Sequence, residues 1–220
     1  MASILHFIVA GGVVMVPLLL LSFIAIGVII ERLLAYRQLG GLSPGLLEET
    51  VQNCRAGQYE EAIRVCEGGS GPVAACLAVV LKHRHQPTEE IERLVEETGQ
   101  DYFVPLERLL PVLDTTTTVS PLLGLLGTIV GMIGTFNAIS VQRTRGNSDA
   151  VLSGVGEALY ATATGILIAV ICFIAYNYFA ARLRTLTAGT ERAVTKLINV
   201  LTELKHQEQN REQRGKPGAI

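Results

Sequence analysis

The sequence has few charged residues and no excess of one sign. Only 17% of its 220 residues are Asp, Glu, Lys or Arg, the formal net charge is -2, and tryptophan is absent. Binding to nucleic acid requires a basic surface, and no basic stretch interleaved with aromatic residues is present. We therefore expect no nucleic-acid partner. The low charge also argues against a purely cytosolic enzyme, because soluble domains usually carry about 25% charged residues.

Cysteines and catalytic motifs are also scarce. The sequence contains no HExxH, GxSxG or Walker A motif and no paired membrane aspartates, so we expect no enzyme activity, no catalytic residue and no bound metal. Four cysteines at wide, irregular spacings exclude a disulfide framework and predict reduced thiols. His83 and His85 form a His-x-His pair on a charged segment, which is typical of a solvated face. The sequence defines no role for Cys54, Cys66, Cys76, His83 and His85.

Apolar residues are concentrated in three long runs without a charge. The runs cover residues 7–30, 115–142 and 158–181, which contain 24, 28 and 24 residues. A helix rises about 1.5 Å per residue and needs about 20 residues to cross the hydrocarbon core, so each run predicts a transmembrane helix. The first run lacks the basic start and small-residue cleavage site of a signal peptide, and we expect it to be retained.

Lysine and arginine are distributed unevenly around these runs. None precedes the first run, eight lie between the first and second, two lie between the second and third, and eight follow the third. By the positive-inside rule, segments rich in basic residues face the cytoplasm. The counts therefore predict an outer N-terminus and an inner C-terminus.

The segments on the inner side are predicted to be helical extensions of an all-α integral membrane protein. Apolar residues recur every three or four positions from Leu183 to Leu204, close to a heptad seam, which indicates a self-associating stalk. The predicted order is an outer N-terminus (1–6), transmembrane helix 1 (7–30), an inner helical region (31–110), transmembrane helix 2 (111–142), an outer loop (143–152), transmembrane helix 3 (153–181), an inner amphipathic helix (182–205) and a flexible tail (206–220).

Small residues line the second and third runs at helical spacing. In lipid, helices associate through small residues that let their backbones approach, so this spacing predicts close packing of the two helices. Pro121 predicts a kink in the second helix. Proline leaves one backbone carbonyl without its helical donor, which is tolerated where the side chain of Thr117 or Ser120 adjusts. The predicted packing residues are Gly124, Gly127, Gly131 and Gly134 in the second run and Ala158, Ala161 and Gly165 in the third.

Four polar residues in or beside these runs are candidates for a proton pathway. Thr128 and Thr162 place hydroxyls at similar depths, about 18 and 15 Å from the outer boundary. A carboxylate such as Glu157 is costly in a bilayer and is expected to face a cavity, although a position at the helix N-terminus near the interface is the alternative. Asp114 lies directly before the second run, where a cation exit and an ordinary wetted helix start are both consistent with the pattern.

Two segments carry a family resemblance. Residues 120–136 (SPLLGLLGTIVGMIGTF) and 154–165 (GVGEALYATATG) resemble the second-span and third-span motifs of the ExbB/TolQ/MotA proton-channel family. Residues 57–63 (GQYEEAI) and 71–74 (GPVA) resemble its cytoplasmic helices. Three spans suit the ExbB/TolQ branch, with the ExbB type favoured, because the flagellar stator branch has four.

The resemblance implies a homo-pentamer around a central pore in the bacterial inner membrane, with a periplasmic N-terminus and a cytoplasmic C-terminus. The pore would hold the single transmembrane helices of an ExbD/TolR-like dimer, whose membrane aspartate carries the proton. Thr128 and Thr162 would face that aspartate with Glu157 nearby, and Asp114 is an extension of the same set. No cofactor is implied, because the transmembrane proton gradient supplies the energy.

Three functions remain open from the sequence alone. An ExbB-type subunit would act through a TonB-like protein to energise transport across the outer membrane, whereas a TolQ-type subunit would act through a TolA-like protein in envelope integrity. A non-conducting scaffold, in which the glycine rows serve assembly only, is the third. Proton rather than sodium specificity follows only from the resemblance.

Overall fold

The computed structural model describes residues 12–38, 44–141 and 148–215. These residues are almost entirely helical and contain no strand, which confirms the predicted all-α class. The helices are α1 (Met15–Gln38), α2 (Pro44–Arg55), α3 (Tyr59–Gly68), α4 (Pro72–Lys82), α5 (Thr88–Glu107), α6 (Leu110–Val141) and α7 (Ser148–Gly215).

Three stretches of helix are long and apolar enough to cross a membrane, as the three charge-free runs predict. They lie in α1, in the segment that contains α5 and α6, and in α7. The described residues form two compact units. Among the described residues, those within 12–33 and 109–180 form the membrane unit, and those within 34–108 and 181–215 form the bundle unit.

Large apolar side chains cover much of the outer surface of the membrane unit. Phe23, Ile129 and Ile174 are examples, each at least half exposed. A soluble protein rarely exposes so many large apolar residues, whereas a membrane protein places them against lipid or other transmembrane helices. The buried residues of the unit include large apolar side chains such as Met15, Leu18 and Leu113, together with the small residues and hydroxyls that the next section describes.

Proline sets the beginning of α6. α5 ends at Glu107 and α6 begins at Leu110, so residues 108 and 109 interrupt the helix. Pro111 has no amide hydrogen, so it cannot donate to the carbonyl of Glu107, and proline is well tolerated in a first helical turn. The interruption therefore follows from the proline at position 111.

The last helix, α7, joins several segments that the sequence predicted as separate. Residues 148–215 form one α-helix, which covers the predicted third span, the amphipathic helix and ten residues of the predicted flexible tail. The sequence from 206 to 214 consists mostly of Gln, Glu and Arg, which have good helix propensity, and the helix ends at Gly215. Polarity alone therefore did not reveal where the helix stops.

The bundle unit is organised around α4, the most apolar of its short helices. Leu77, Val80 and Leu81 are fully buried. Two glycines make the turns that bring the helices around this core, because Gly57 (φ +75°) follows α2 and Gly71 (φ +92°) precedes α4. A positive φ favours glycine, and Pro72 then starts α4 at the position that proline prefers.

The heptad-like seam of α7 belongs to this core. Ala193, Val194, Leu197, Val200 and Leu201 are buried in one cluster with residues of α2, α3, α4 and α5. The prediction of a self-associating stalk is therefore wrong for this seam, because helices of the same chain already cover it. A three-and-four spacing reports an apolar face but does not identify the partner of that face.

Candidate functional site

The candidate site lies where α6 and α7 pack in antiparallel directions. A Cβ atom added to Gly127 would lie 2.5 Å from the Cβ of Ala161, and one added to Gly131 would lie 3.1 Å from the Cβ of Ala158. A Cβ on Gly165 would collide with the carbonyl oxygen of Ser120. Real Cβ atoms almost never approach so closely, so the two backbones are in contact along this row because the side chains are small.

A hydrogen bond joins the two helices at the centre of the row. The Thr162 hydroxyl donates to the carbonyl oxygen of Gly124 at 2.9 Å. A Cβ on Gly124 would lie only 3.0 Å from the Cα of Thr162, so glycine at this position is what lets the hydroxyl reach the backbone. Hydrogen bonds between helices are effective in lipid, where water does not compete. Thr162 therefore fixes the register of α6 on α7.

Thr128 lies close to the same level. Gly127 of α6 faces Ala161 of α7, and each is followed by a threonine, Thr128 and Thr162. Because the helices run in opposite directions and each residue rises about 1.5 Å, the two threonines are separated by about 3 Å along the helix axes. Thr128 is half-buried, and its hydroxyl donates to the carbonyl oxygen of Leu125 at 2.6 Å. Both threonine hydroxyls thus donate to backbone carbonyls, which leaves their oxygen lone pairs as acceptors.

Asp114 is exposed and lies in the second turn of α6, apart from the two threonines. The three threonines that follow it are satisfied within the helix, because the hydroxyls of Thr115, Thr116 and Thr117 donate to carbonyl oxygens four residues earlier at 2.8, 2.7 and 2.9 Å. The backbone of Glu157 is part of α7, but its side chain lies outside the described residues. Its role stays a prediction.

The packing row differs from the predicted one at its outer end. A Cβ on Gly134 would meet no atom within 4 Å, so Gly134 is not part of the contact between α6 and α7. Thr135 takes that place: it is buried, its hydroxyl donates to Gly131 at 2.9 Å, and a Cβ on Gly154 would run into its oxygen. The sequence contains a spacing that continues this row, because Thr135 follows Gly131 by four residues and Gly154 precedes Ala158 by four.

The thiols and histidines of the bundle unit form no comparable site. Cys54, Cys66 and Cys76 are free and buried, and burial raises the pKa of all three thiols, to about 11 for Cys54 and Cys76. Cys66 contacts the Thr50 hydroxyl at 3.4 Å. The ring Nδ1 of His83 lies 3.0 Å from the Val79 carbonyl oxygen. No group of His, Cys, Asp or Glu suited to a metal occurs among the described residues.

This geometry defines a class of protein. Its features are three membrane-spanning helices, a close contact between the second and third through small residues, and threonine hydroxyls at one level of that contact. The described side chains that form this contact are uncharged, and their hydroxyls can donate and accept hydrogen bonds. The class is that of helical membrane proteins whose transmembrane helices associate through small residues.

Comparison with known proteins gives the family. The model of the MotA/TolQ/ExbB proton channel family matches residues 70–192. The chain is 31% identical over 171 residues to the putative biopolymer transport protein ExbB-like 3 of Synechocystis sp., which covers 77% of this chain and 81% of that protein. The chain therefore belongs to the MotA/TolQ/ExbB proton channel family.

Relatives from two systems match shorter parts of the chain. Biopolymer transport protein ExbB of Pseudomonas putida is 33% identical over 118 residues, which cover 53% of this chain and 34% of that protein. Tol-Pal system protein TolQ of Pseudomonas aeruginosa is 40% identical over 77 residues, which cover 35% of this chain and 33% of that protein. These matches agree with the ExbB/TolQ branch and do not separate its two types.

Proposed function

We propose that the chain is the channel-forming stator subunit of an inner-membrane motor driven by the proton-motive force, of the ExbB-ExbD type. The observation that carries this proposal is the pair of hydroxyls, Thr128 and Thr162, at one level of the glycine-lined contact between α6 and α7. Rigid packing of the two helices would hold these hydroxyls at a fixed position. Membership of a proton channel family supports the same function.

The proton carrier is expected to come from a partner chain. The charge-free runs 115–142 and 158–181 contain no Asp or Glu, so neither run offers a carboxyl group to carry the proton. A single-span dimer like ExbD or TolR, bound in the pore of a pentamer, would supply a carboxyl. Each elementary charge that crosses 100 mV releases about 2.3 kcal/mol, which is the energy available to move that partner.

The hydrogen bonds of the threonines indicate how they would act on such a carboxyl. Because both hydroxyl protons are donated to backbone carbonyls, the Thr128 and Thr162 oxygens are oriented to accept. An acceptor stabilises a protonated carboxylic acid more than a carboxylate, since only the acid has a proton to donate. The belt of hydroxyls would therefore favour the neutral form of the partner's acid while it is inside the membrane.

A pair of variants at one position tests this function. Thr162→Val removes the hydroxyl and keeps the shape, whereas Thr162→Ser keeps the hydroxyl. We expect Thr162→Val to abolish motor activity and Thr162→Ser to retain at least about a third of it, with both assembling into the complex. Activity is measured by complementation, and assembly by native gel. Full activity of an assembled Thr162→Val complex would support the non-conducting scaffold.

The same complementation separates the two members of the branch. We favour the ExbB type, in which the force-transmitting partner is TonB-like and the output is transport across the outer membrane. In host cells that lack both systems, the ExbB type restores uptake of scarce nutrients across the outer membrane, whereas the TolQ type restores envelope integrity through a TolA-like partner. The TolQ type is retained as the second candidate because of the 40% identity over 77 residues to a TolQ protein.

A further inference from the structure

The two threonines of the candidate site turn to the same side of the contact between α6 and α7. Gly127 and Ala161 face each other across this contact, and Thr128 and Thr162 are the residues that follow them. On two antiparallel right-handed helices, the residue that follows a contact residue turns to the same side of that contact. Both helices therefore contribute to one surface, which we call the threonine side.

On α6 the threonine side extends from Thr128 to Asp114. Leu125, Pro121 and Asp114 precede Thr128 by three, seven and fourteen residues, spacings that keep side chains on one face of a helix. Leu125 is 55% exposed within the chain, and Asp114 is exposed as well. At about 1.5 Å per residue, Asp114 lies about 21 Å from Thr128 toward the predicted cytoplasmic end.

On α7 the threonine side extends from Thr162 to Asn177. Ile166, Phe173 and Asn177 follow Thr162 by four, eleven and fifteen residues, again on one helix face. Ile166 and Phe173 are 51% and 56% exposed, and Asn177 is exposed as well. Asn177 lies about 22 Å from Thr162, also toward the predicted cytoplasmic end.

The threonine side is thus polar at two levels and apolar between them. The two threonine hydroxyls form one level, and Asp114 and Asn177 lie near the other. Three large, exposed apolar side chains line the interval: Leu125, Ile166 and Phe173. In channels, an apolar constriction empties of water and so stops conduction.

We propose that Leu125, Ile166 and Phe173 form an apolar seal between the threonine hydroxyls and the cytoplasmic end of the pore. This inference rests on the proposed function, in which the threonine side faces the partner's helices. The seal keeps water out of the inner half of the pore while the motor is at rest. A proton held at the level of the threonines is therefore released inward only when the partner's helix moves.

Exposed apolar side chains also occur on other faces of α7, and one of them is a close match for Ile166. Ile171 is 50% exposed and lies between Ile166 and Phe173 along the helix. It is turned about 140° from Ile166, away from the threonine side. If the apolar residues of the threonine side only faced lipid, a polar substitution at either isoleucine would have the same effect.

The test is a proton-leak measurement on the complete complex, purified with its partner and reconstituted in lipid vesicles that contain a pH-sensitive dye. After an imposed pH step, Ile166→Ser should dissipate the gradient at least about fivefold faster than the unmodified complex, because a hydroxyl lets water enter the apolar interval. Ile171→Ser, the matched control, should leave the rate unchanged. A native gel shows whether each variant assembles.

Equal leak rates for the two assembled variants would overturn the seal. If the Ile166→Ser complex does not assemble, Leu125→Ser makes a comparable change on α6 and is measured against the same control. Thr162→Val separates the seal from the function on which it rests. Loss of motor activity in Thr162→Val without a leak in Ile166→Ser would reject the seal alone, whereas an active Thr162→Val complex would reject the proposed function and the seal with it.

Discussion

Individual glycines of the membrane unit differ in what surrounds them, and this difference decides which of them tolerate a methyl group. A Cβ on Gly165 would meet the Ser120 carbonyl oxygen and lie 3.2 Å from the Cα of Gly124, both of which are backbone atoms. A flexible side chain can move away from such a contact, but the backbone of a packed helix moves only together with the helix. The cost therefore falls on the contact between α6 and α7.

We expect Gly165→Ala to destabilise the protein by about 1–3 kcal/mol, because overpacking forces the two helices apart. Gly134→Ala is the matched control, since no atom lies within 4 Å of its Cβ position and alanine has the higher helix propensity. Thermal unfolding of the purified chain in detergent measures both. A Gly165→Ala protein as stable as the control would contradict the close contact.

The buried thiols of the bundle unit predict an alkaline limit to stability. Burial raises the pKa of Cys54 and Cys76 from 9.0 to about 11, and the pKa of Tyr59 is also raised, mainly by burial. Between pH 9 and 11 the unfolded thiols lose protons that the folded ones keep, so the free energy of unfolding falls as the pH rises. Below pH 9 the contribution of the thiols is constant.

Denaturant titrations at several pH values test this limit. We expect the stability of the Cys54→Ala/Cys76→Ala double variant to fall less steeply from pH 9 to 11, with Tyr59 retaining part of the slope. Val80→Ala in α4 is the control, because this fully buried residue does not ionise and should lower stability equally at each pH. An unchanged slope in the cysteine variant would contradict the prediction.

At the residue scale the sequence predicted much of the packing row but not all of it. Gly124, Gly127 and Gly131 were recognisable because small residues at helical spacing let backbones approach in lipid. Thr135 was missed, since a β-branched residue is not expected at a close contact, although its hydroxyl satisfies itself on the helix backbone. The Ser120 hydroxyl is buried without a hydrogen-bond partner among the described residues, which no sequence pattern reports.

At the scale of the helices, α7 has two different environments along its length. Its first part packs on α6 through small residues, and its last part packs on the short helices of the bundle through Val194, Leu197 and Leu201. The sequence distinguishes these two parts by residue size, because small residues suit contacts in lipid and branched apolar residues suit a water-excluding core.

We expect Leu197→Ala to cost about 2–5 kcal/mol, because Leu197 is fully buried in the core of the bundle unit. Thr202→Ala is the control, since this residue is exposed on the same helix. Limited proteolysis of the full chain should show faster cleavage in α2 to α5 for Leu197→Ala alone. Dissociation of the complex without faster cleavage would instead favour the self-associating stalk.

Helix existence was predictable from the sequence, whereas helix ends were less so. The charge-free runs predicted the three long apolar helices, and the three-and-four spacing predicted the helix that follows the third span, because burial in lipid or in a core requires those patterns. The ends of α5 and α6 depend on one proline, Pro111, and the end of α7 depends on the propensity of Gln, Glu and Arg. These are local effects that compete with the wider apolar pattern.

At the scale of the whole molecule, the surfaces of the two units suit two different solvents, lipid for the membrane unit and water for the bundle unit. Exposed apolar side chains characterise the membrane unit, while the surface of the bundle unit carries ion pairs such as Lys82 with Glu67 at 2.6 Å. The orientation of the chain remains a prediction of the positive-inside rule, with sixteen of the 18 basic residues on the cytoplasmic side. The pore is a property of several chains, so it depends on assembly.

The native mass of the complex, extracted gently from its host membrane, tests the stator function most directly. We predict five copies of this 23.7 kDa chain together with two copies of a smaller single-span protein. That composition would place α6 and α7 around a partner that carries the proton. A monomer, or an oligomer from which no second protein is recovered, would contradict the stator function and leave the glycine row as a device for assembly.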